Sequence, residues 1–393
     1  MAVEQTYNCI PTLRFPEFQN DGEWDYVNGN ELFVPIVNKN HNSDLPVLAI
    51  TQDQGAVPRE LIDYNVIVSD KSIAGYKVVE IGDFIISLRS FQGGIEYSNY
   101  KGLCSPAYIV LRRKNDSICN DFYRHYFKSK KYIQDLNRNL EGIRDGKMIS
   151  YQQFSEIKIP FPPLAEQKHI AECLSTMDEA ITEFNNKLEL LKSHKKGLMQ
   201  KLFPARGQKV PEMRFKEFEK SGDWEEKKLG EIAGNIATGK LDANAMVPNG
   251  KYRFYTCAKT YYYINNYAFD TEALLISGNG AHLGYVHYYK GKFNAYQRTY
   301  VLSNIQCDIF FLKYYLENFL PKRIDQEKKE GNTPYIVQTT LTEMIISLPL
   351  LVEQRRIATC FSSIDKMISC YTVKINLLEQ LKIGLMQQLF PTS

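Results

Sequence analysis

The sequence predicts an α+β fold: two mixed α/β domains separated by two long antiparallel coiled-coil helices, in a tandem repeat with pseudo-twofold symmetry. Three features point there. At 393 residues the chain is too long for one core and suits two domains of roughly 100 to 200 residues each. Two sequence elements occur twice, in the same order. Two proline-free stretches carry apolar residues at alternating steps of four and three, the mark of a coiled-coil seam.

The first repeated element lies in residues 1–24, where Pro11-Thr12-Leu13-Arg14-Phe15-Pro16-Glu17-Phe18 leads to Gly22-Glu23-Trp24. It returns 200 residues later, within 205–224, as Pro211-Glu212-Met213-Arg214-Phe215-Lys216-Glu217-Phe218 and Gly222-Asp223-Trp224. The second occupies 162–204, with Pro162, Leu164, Glu166, Gln167, Ile170, Ala171, Cys173 and Asp178 running to Gly197-Leu198-Met199-Gln200 and Leu202-Phe203-Pro204. Its copy, in 349–393, carries Glu353, Gln354, Ile357, Ala358, Cys360, Asp365 and Gly384-Leu385-Met386-Gln387 at an offset of 187. The unequal offsets mean that the inserts, 25–161 and 225–348, differ in length, and they differ in sequence too. A similar frame around dissimilar inserts implies that the frame keeps one job and each insert has its own. Segments this long are not loops and must fold.

Within the frame, the first seam is Ile170, Leu174, Met177, Ile181, Phe184, Leu188, Leu191, Leu198 and Leu202, interrupted at Lys195. The second is Ile357, Phe361, Ile364, Ile368, Tyr371, Ile375, Leu378, Leu385 and Leu389, interrupted at Lys382. Each reads as a helix of nearly forty residues, about 58 Å long. One apolar stripe on so long a helix needs a partner. Pairing with the duplicate, antiparallel if the halves share pseudo-twofold symmetry, is the first expectation; packing of each helix on its own insert is the second. Lys195 and Lys382 read either as lysines snorkelling from the seam or as phosphate contacts.

In 25–161, β-like runs are expected at Leu45–Ile50, Val66–Ser69, Phe84–Leu88 and Ala107–Leu111, then a helix from Asp121 to about Leu140. In 225–348 the order repeats, with Tyr252–Cys257, Ala273–Ser277, Gly284–Tyr289, Thr299–Leu302 and a helix from Ile309 to Phe319. Between these elements lie basic and amide side chains: Arg89, Ser90, Gln92 and Gly93, then Arg144 and Lys147, in the first insert; Lys240, Lys259, Asn279, His282, Gln297 and Arg298 in the second. Arg and Lys can reach guanine edges or phosphates, Gln and Asn can clamp adenine, and glycine lets the backbone approach, so these twelve are the candidate DNA contacts. Each reads equally as an ordinary solvated loop residue. Tyr261-Tyr262-Tyr263 and Tyr288-Tyr289 could stack on bases or simply cover the sheet.

A net charge of +3 permits nucleic-acid binding without demanding it. No apolar run approaches the ~20 residues of a membrane span and the N-terminal residues lack a signal pattern, so the expectation is a soluble cytoplasmic protein. Eight cysteines without any C-x-x-C pair argue for reduced thiols over a disulfide or zinc framework. Catalytic motifs fail on inspection. Gly234 to Lys240 imitates a phosphate-binding loop, but Leu241 stands where a Mg²⁺-binding hydroxyl is required. Ser105-Pro106-Ala107-Tyr108 resembles an adenine-methyltransferase signature yet lacks its second proline and any glycine-rich cofactor loop. The six histidines show no metal-ligand spacing. The chain is expected to perform no chemistry and to bind no cofactor of its own.

The frame, from Pro163-Leu164-Ala165-Glu166-Gln167 through Gly197-Leu198-Met199-Gln200 to Arg214-Phe215 and Trp224, resembles the repeated region of the specificity subunits of type I restriction-modification systems. The second insert adds Ile276-Ser277-Gly278-Asn279-Gly280 and Ala295-Tyr296-Gln297-Arg298; the first departs with Tyr26-Val27-Asn28-Gly29 where Leu229-Gly230 stands in the second. The resemblance implies that 25–161 and 225–348 are target-recognition domains, each reading half of a split double-stranded DNA sequence. It implies that the long helices dock two methyltransferase subunits and, in the full complex, two ATP-dependent restriction/translocase subunits. S-adenosylmethionine, ATP and Mg²⁺ would then belong to those partners.

Overall fold

The computed structural model describes residues 10–42, 44–62, 73–138, 149–327 and 335–391. They form two units, Met1–Phe184 with Lys374–Ser393, and Asn185–Val373. The expected run Val66–Ser69 and the candidates Arg144 and Lys147 lie outside the described residues.

In the first unit, β1 (Asp25–Asn28) pairs antiparallel with β10 (Lys158–Phe161), closing the insert at its two ends. Between them, β2 (Phe33–Ile36), β6 (Phe84–Ile86), β7 (Glu96–Tyr97) and β9 (Ile109–Arg113) make a sheet in the order β2-β9-β6-β7. Two further pairs, β3 (Leu48–Thr51) with β4 (Gly55–Pro58) and β5 (Lys77–Val79) with β8 (Gly102–Cys104), complete the strands among the described residues. Instead of one helix to Leu140 there are two, Asn120–Tyr126 and Lys130–Arg138. Ser129 explains the break: its hydroxyl accepts from the N–H of Tyr132 at 3.2 Å and so starts a new helix.

The second unit repeats the frame pairing, with β11 (Glu225–Lys228) against β18 (Ile345–Leu348). Its insert is one six-stranded sheet built from β12 (Ala233–Thr238), β13 (Tyr252–Tyr255), β14 (Tyr262–Ile264), β15 (Phe269–Ser277), β16 (Val286–Ala295) and β17 (Thr299–Ile305), in the order β12-β17-β15-β16-β13-β14. The helix expected to stop at Phe319 continues to Glu327 through Pro321. Proline removes one helical N–H but does not break this helix, whose buried Leu320 and Ile324 anchor the turn on either side. The departure at Tyr26–Gly29 is one of sequence only. Gly29–Leu32 and Leu229–Ile232 are both short helices, and Glu31 and Glu231 accept from the N–H of Asn28 and Lys228 in turn.

The long helices are Leu164–Leu202 and Leu351–Leu389. In the first unit Lys382 bonds Asp178 at 2.5 Å and Lys374 lies 4.0 Å from the Phe184 ring centroid. In the second, Lys195 bonds Asp365 at 2.7 Å and Phe203 stacks on Phe361. Numbers rise in one helix as they fall in the other, so the paired segments are antiparallel. Both expectations for the apolar stripe are met together. Ile170, Leu174, Leu389 and Phe390 join Phe33, Phe84, Phe122 and Phe127 in the first core, while Ile357, Phe361, Leu202 and Phe203 join Leu274, Leu302 and Phe311 in the second. Each insert is thus floored by the start of the helix that follows it and the end of the other.

The repeated motifs meet where that floor is laid. Glu166 accepts two 2.7 Å hydrogen bonds from Arg14 and a third, at 3.0 Å, from the Trp24 indole. Arg214 and Glu353 repeat the pair at the same distances. Gln167 accepts from the N–H of Cys119 and donates to the Pro162 carbonyl; Gln354 does the same with Asp308 and Pro349.

Candidate nucleic-acid interface

In the second unit the candidates converge. The Gln297 N–H donates to the carbonyl of Leu241, beside Lys240, and the Gln297 amide donates to Asp242 at 2.7 Å. The Arg298 carbonyl accepts from the Gly278 N–H at 2.8 Å and from the Cys257 thiol at 3.4 Å. Segments 239–242, 257–259, 278–282 and 296–298 therefore touch one another, and they carry all six candidates of this insert. Lys240, Lys259, Gln297 and Arg298 are exposed; Asn279 and His282 are half-buried. The contact needs glycine at 278, where a Cβ would lie 2.4 Å from the Arg298 carbonyl oxygen.

In the first unit Arg89 and Gln92 are exposed, Arg89 at the N-cap and Gln92 within a four-residue helix, Ser90–Gly93, that follows β6. Ser90 is a correction to the candidate set. It is 1% exposed and its hydroxyl accepts from the Ser87 N–H, so it shapes the turn instead of facing solvent. Gly93, half-buried, offers its carbonyl to Lys128 at 3.0 Å. Lys128 also donates to Glu96 at 2.6 Å and to the Gln52 carbonyl, while Asn137 donates to the Phe91 carbonyl at 2.7 Å. Burial pushes the Glu96 carboxyl up to about 7 against the pull of Lys128. Gly94, at φ +82°, ends the helix where a side chain would meet the Phe127 carbonyl oxygen.

Sequence reasoning missed Lys128, Asn137 and Gln52 as supports of this loop. Nothing local marks them, because Lys128 reaches the Gly93 carbonyl, Asn137 that of Phe91 and Gln52 that of Arg89, each dozens of residues away. Beside Gln92 opens a cleft of about 800 Å³ lined by Lys128, Lys130, Lys131, Gln134 and Arg138 together with the apolar Ile133, Ile383, Met386 and Phe390. Three of its cations are already paired, Lys128 with Glu96 and both Lys131 and Arg138 with Asp135.

The two sequences that mimic catalytic motifs have ordinary places. Ala233–Thr238 is the strand β12, and an extended strand does not present the nest of N–H groups that cradles phosphate. Ser105–Tyr108 is a turn between β8 and β9, closed by the Tyr108 N–H on the Ser105 carbonyl. Among the described residues no helix is long and apolar enough to cross a membrane.

The chain resembles proteins of known assignment along most of its length. The family model described as "Type I restriction modification DNA specificity domain" matches residues 22–192 and 221–380. The type I restriction enzyme EcoDI specificity subunit of Escherichia coli is 43% identical over 136 residues, 35% of this chain and 30% of that protein. The type I restriction enzyme MjaVIII specificity subunit of Methanocaldococcus jannaschii is 28% identical over 345 residues, 79% of each. In fold, the crystal structure of the type I restriction-modification S subunit from M. genitalium covers 98% of this chain and 100% of its own, with a TM-score of 0.64 at 18% identity.

Proposed function

We propose that this chain, which belongs to the type I restriction modification DNA specificity family, reads a bipartite double-stranded DNA target, one half with each insert. DNA sequence recognition is the family's work; the division into half-sites is our reading. One observation carries it: two inserts with different sheets, each presenting its own exposed basic and amide side chains, stand on duplicated floors. In the second insert those side chains are Lys240, Lys259, Gln297 and Arg298; in the first they are Arg89 and Gln92. Arg144 and Lys147 stay candidates on the chemistry of their side chains alone.

The chain is read as non-catalytic, directing two methyltransferase subunits and, in a full complex, two ATP-dependent restriction/translocase subunits in the cytoplasm. S-adenosylmethionine, ATP and Mg²⁺ are assigned to those partners. Leu377 and Leu381, one helical turn apart and 60% and 55% exposed, lie off the seam of the second long helix and offer an apolar contact for such a partner.

The test is an exchange of 225–348 for the equivalent segment of a relative, followed by mapping of methylated sites in a host supplying the partner subunits. One half of the recognised sequence should change and the other persist. A change in both halves would refute modular reading, and a chain that joins its partners without selecting DNA would leave only a scaffold.

A further inference from the structure

Arg253, on β13, stands in an aromatic cage. Its guanidinium carbon lies 4.2 Å from the ring centroid of Tyr261 and 4.6 Å from that of Tyr289, and Nη1 donates to the Tyr255 hydroxyl at 3.4 Å. The rings are anchored in turn, Tyr255 in the small core with Phe293 and Tyr289 packed against that core. Arg14, Arg112 and Arg214 each hold a carboxylate at 2.7 Å; Arg253 has none within 4 Å among the described residues. Its cation is thus held between rings, half-buried and without a paired carboxylate among the described residues. Ring contacts hold a planar guanidinium while leaving its N–H edges able to donate.

The cage adjoins the convergent loops. Tyr261 follows Lys259 by two residues, Cys257 bonds the Arg298 carbonyl, and the Ala258 carbonyl is 2.8 Å from Nε2 of His287. A cation held on a strand beside the exposed Lys259 and Arg298 is suited to fixing register, the part that backbone contacts play in recognition. With a net charge of +3 on the chain, each cation without a paired carboxylate near the reading loops weighs heavily.

We propose that Arg253, held by Tyr261 and Tyr289, is a DNA-phosphate contact that seats the second insert on the duplex. The inference rests on the DNA-reading function above. It assigns Arg253 affinity without sequence preference, in contrast to Arg298.

The experiment measures binding of the full chain, assembled with its methyltransferase subunits, to duplexes with and without the recognised sequence, over a range of salt concentrations. R253Q should lose roughly fivefold in affinity near 0.15 M salt on every duplex alike, with the salt slope reduced by about 0.9. R253K, which retains the charge, should keep the slope, and Y261L should lose affinity while keeping the slope. Thermal unfolding of each variant identifies a loss due to misfolding; Y261F, which preserves the ring, should bind as the parent does. R253Q binding with parental affinity and slope would overturn the proposal, as would a loss confined to the recognised sequence. A loss of methyltransferase assembly with DNA affinity unchanged would make the cage a protein contact and also overturn it. If the unsubstituted assembly bound no duplex, the DNA-reading function itself would fall.

Discussion

Arg14 and Glu166, 152 residues apart, grip each other through two 2.7 Å hydrogen bonds with side chains only 6% and 1% exposed. The third guanidinium nitrogen donates to the carbonyls of Asp21 and Gly22, so the pair also closes the turn that leads to Trp24. Arg214 and Glu353 reproduce every one of these bonds in the second unit, down to the carbonyls of Ser221 and Gly222. The duplication therefore conserves a bond between its two repeated elements.

Arg14→Ala should destabilise the first unit by about 3–5 kcal/mol, because it strands the Glu166 carboxylate in the interior. Denaturant unfolding of single and double variants checks this. The double change Arg14→Met with Glu166→Leu should recover much of the loss, since it removes both charges at once. A loss under 1 kcal/mol in the single variant would mean that the pair is dispensable.

Lys195 and Lys382 are engaged by Asp365 and Asp178, and Lys195 also lies 3.6 Å from Glu317. Lys195→Met should lower stability by about 1–2 kcal/mol for a half-buried pair and leave the salt slope of duplex binding as it was. A slope reduced by about 0.9 would instead return Lys195 to phosphate contact.

Arg298→Ala should relax discrimination in the half-site read by the second insert, and Arg89→Ala in the other, each costing roughly 1–3 kcal/mol if a bidentate base contact is lost. Selection of bound sequences from a random pool reads this directly. Uniform weakening across all sequences would identify a phosphate contact; unchanged binding and preference would remove that arginine from the interface.

His125 occupies in the first unit the place of Tyr314 in the second, each against the Ser-x-x-Asp pair of its long helix. Tyr314 donates to Asp365 at 2.8 Å, whereas His125 lies 3.2 Å from the Ser175 hydroxyl and 3.8 Å from Asp178. Burial, reinforced by Lys382 and Arg124 and opposed by Asp178, pushes the imidazole down to about 4. A base depressed in the folded state contributes stability that is present above its unfolded pKa, ~6.5, and lost as the pH falls toward 4. His125→Tyr, copying the second unit, should flatten the decline in melting temperature between pH 6.5 and 4. Parallel profiles for the two proteins would count against a neutral buried His125.

Periodicity and repetition are properties of one dimension, so the two long helices and their seams could be read from the residues. Ile170 and Leu174 had to face inward together because a helix returns to the same face every three to four residues. Strand positions such as Tyr252–Tyr255 and Thr299–Leu302 were legible for the same kind of reason. Contacts between distant segments were not. Nothing near Arg14 names Glu166, nothing near Lys128 names the Gly93 carbonyl, and Ser90 looks as polar in the sequence as Gln92 does. Burial and bond partners depend on which segments the chain brings together, and that is set by packing across the whole unit. The same holds for Arg253: a strand arginine among tyrosines is unremarkable until two of those rings, one of them thirty-six residues away, close on its guanidinium.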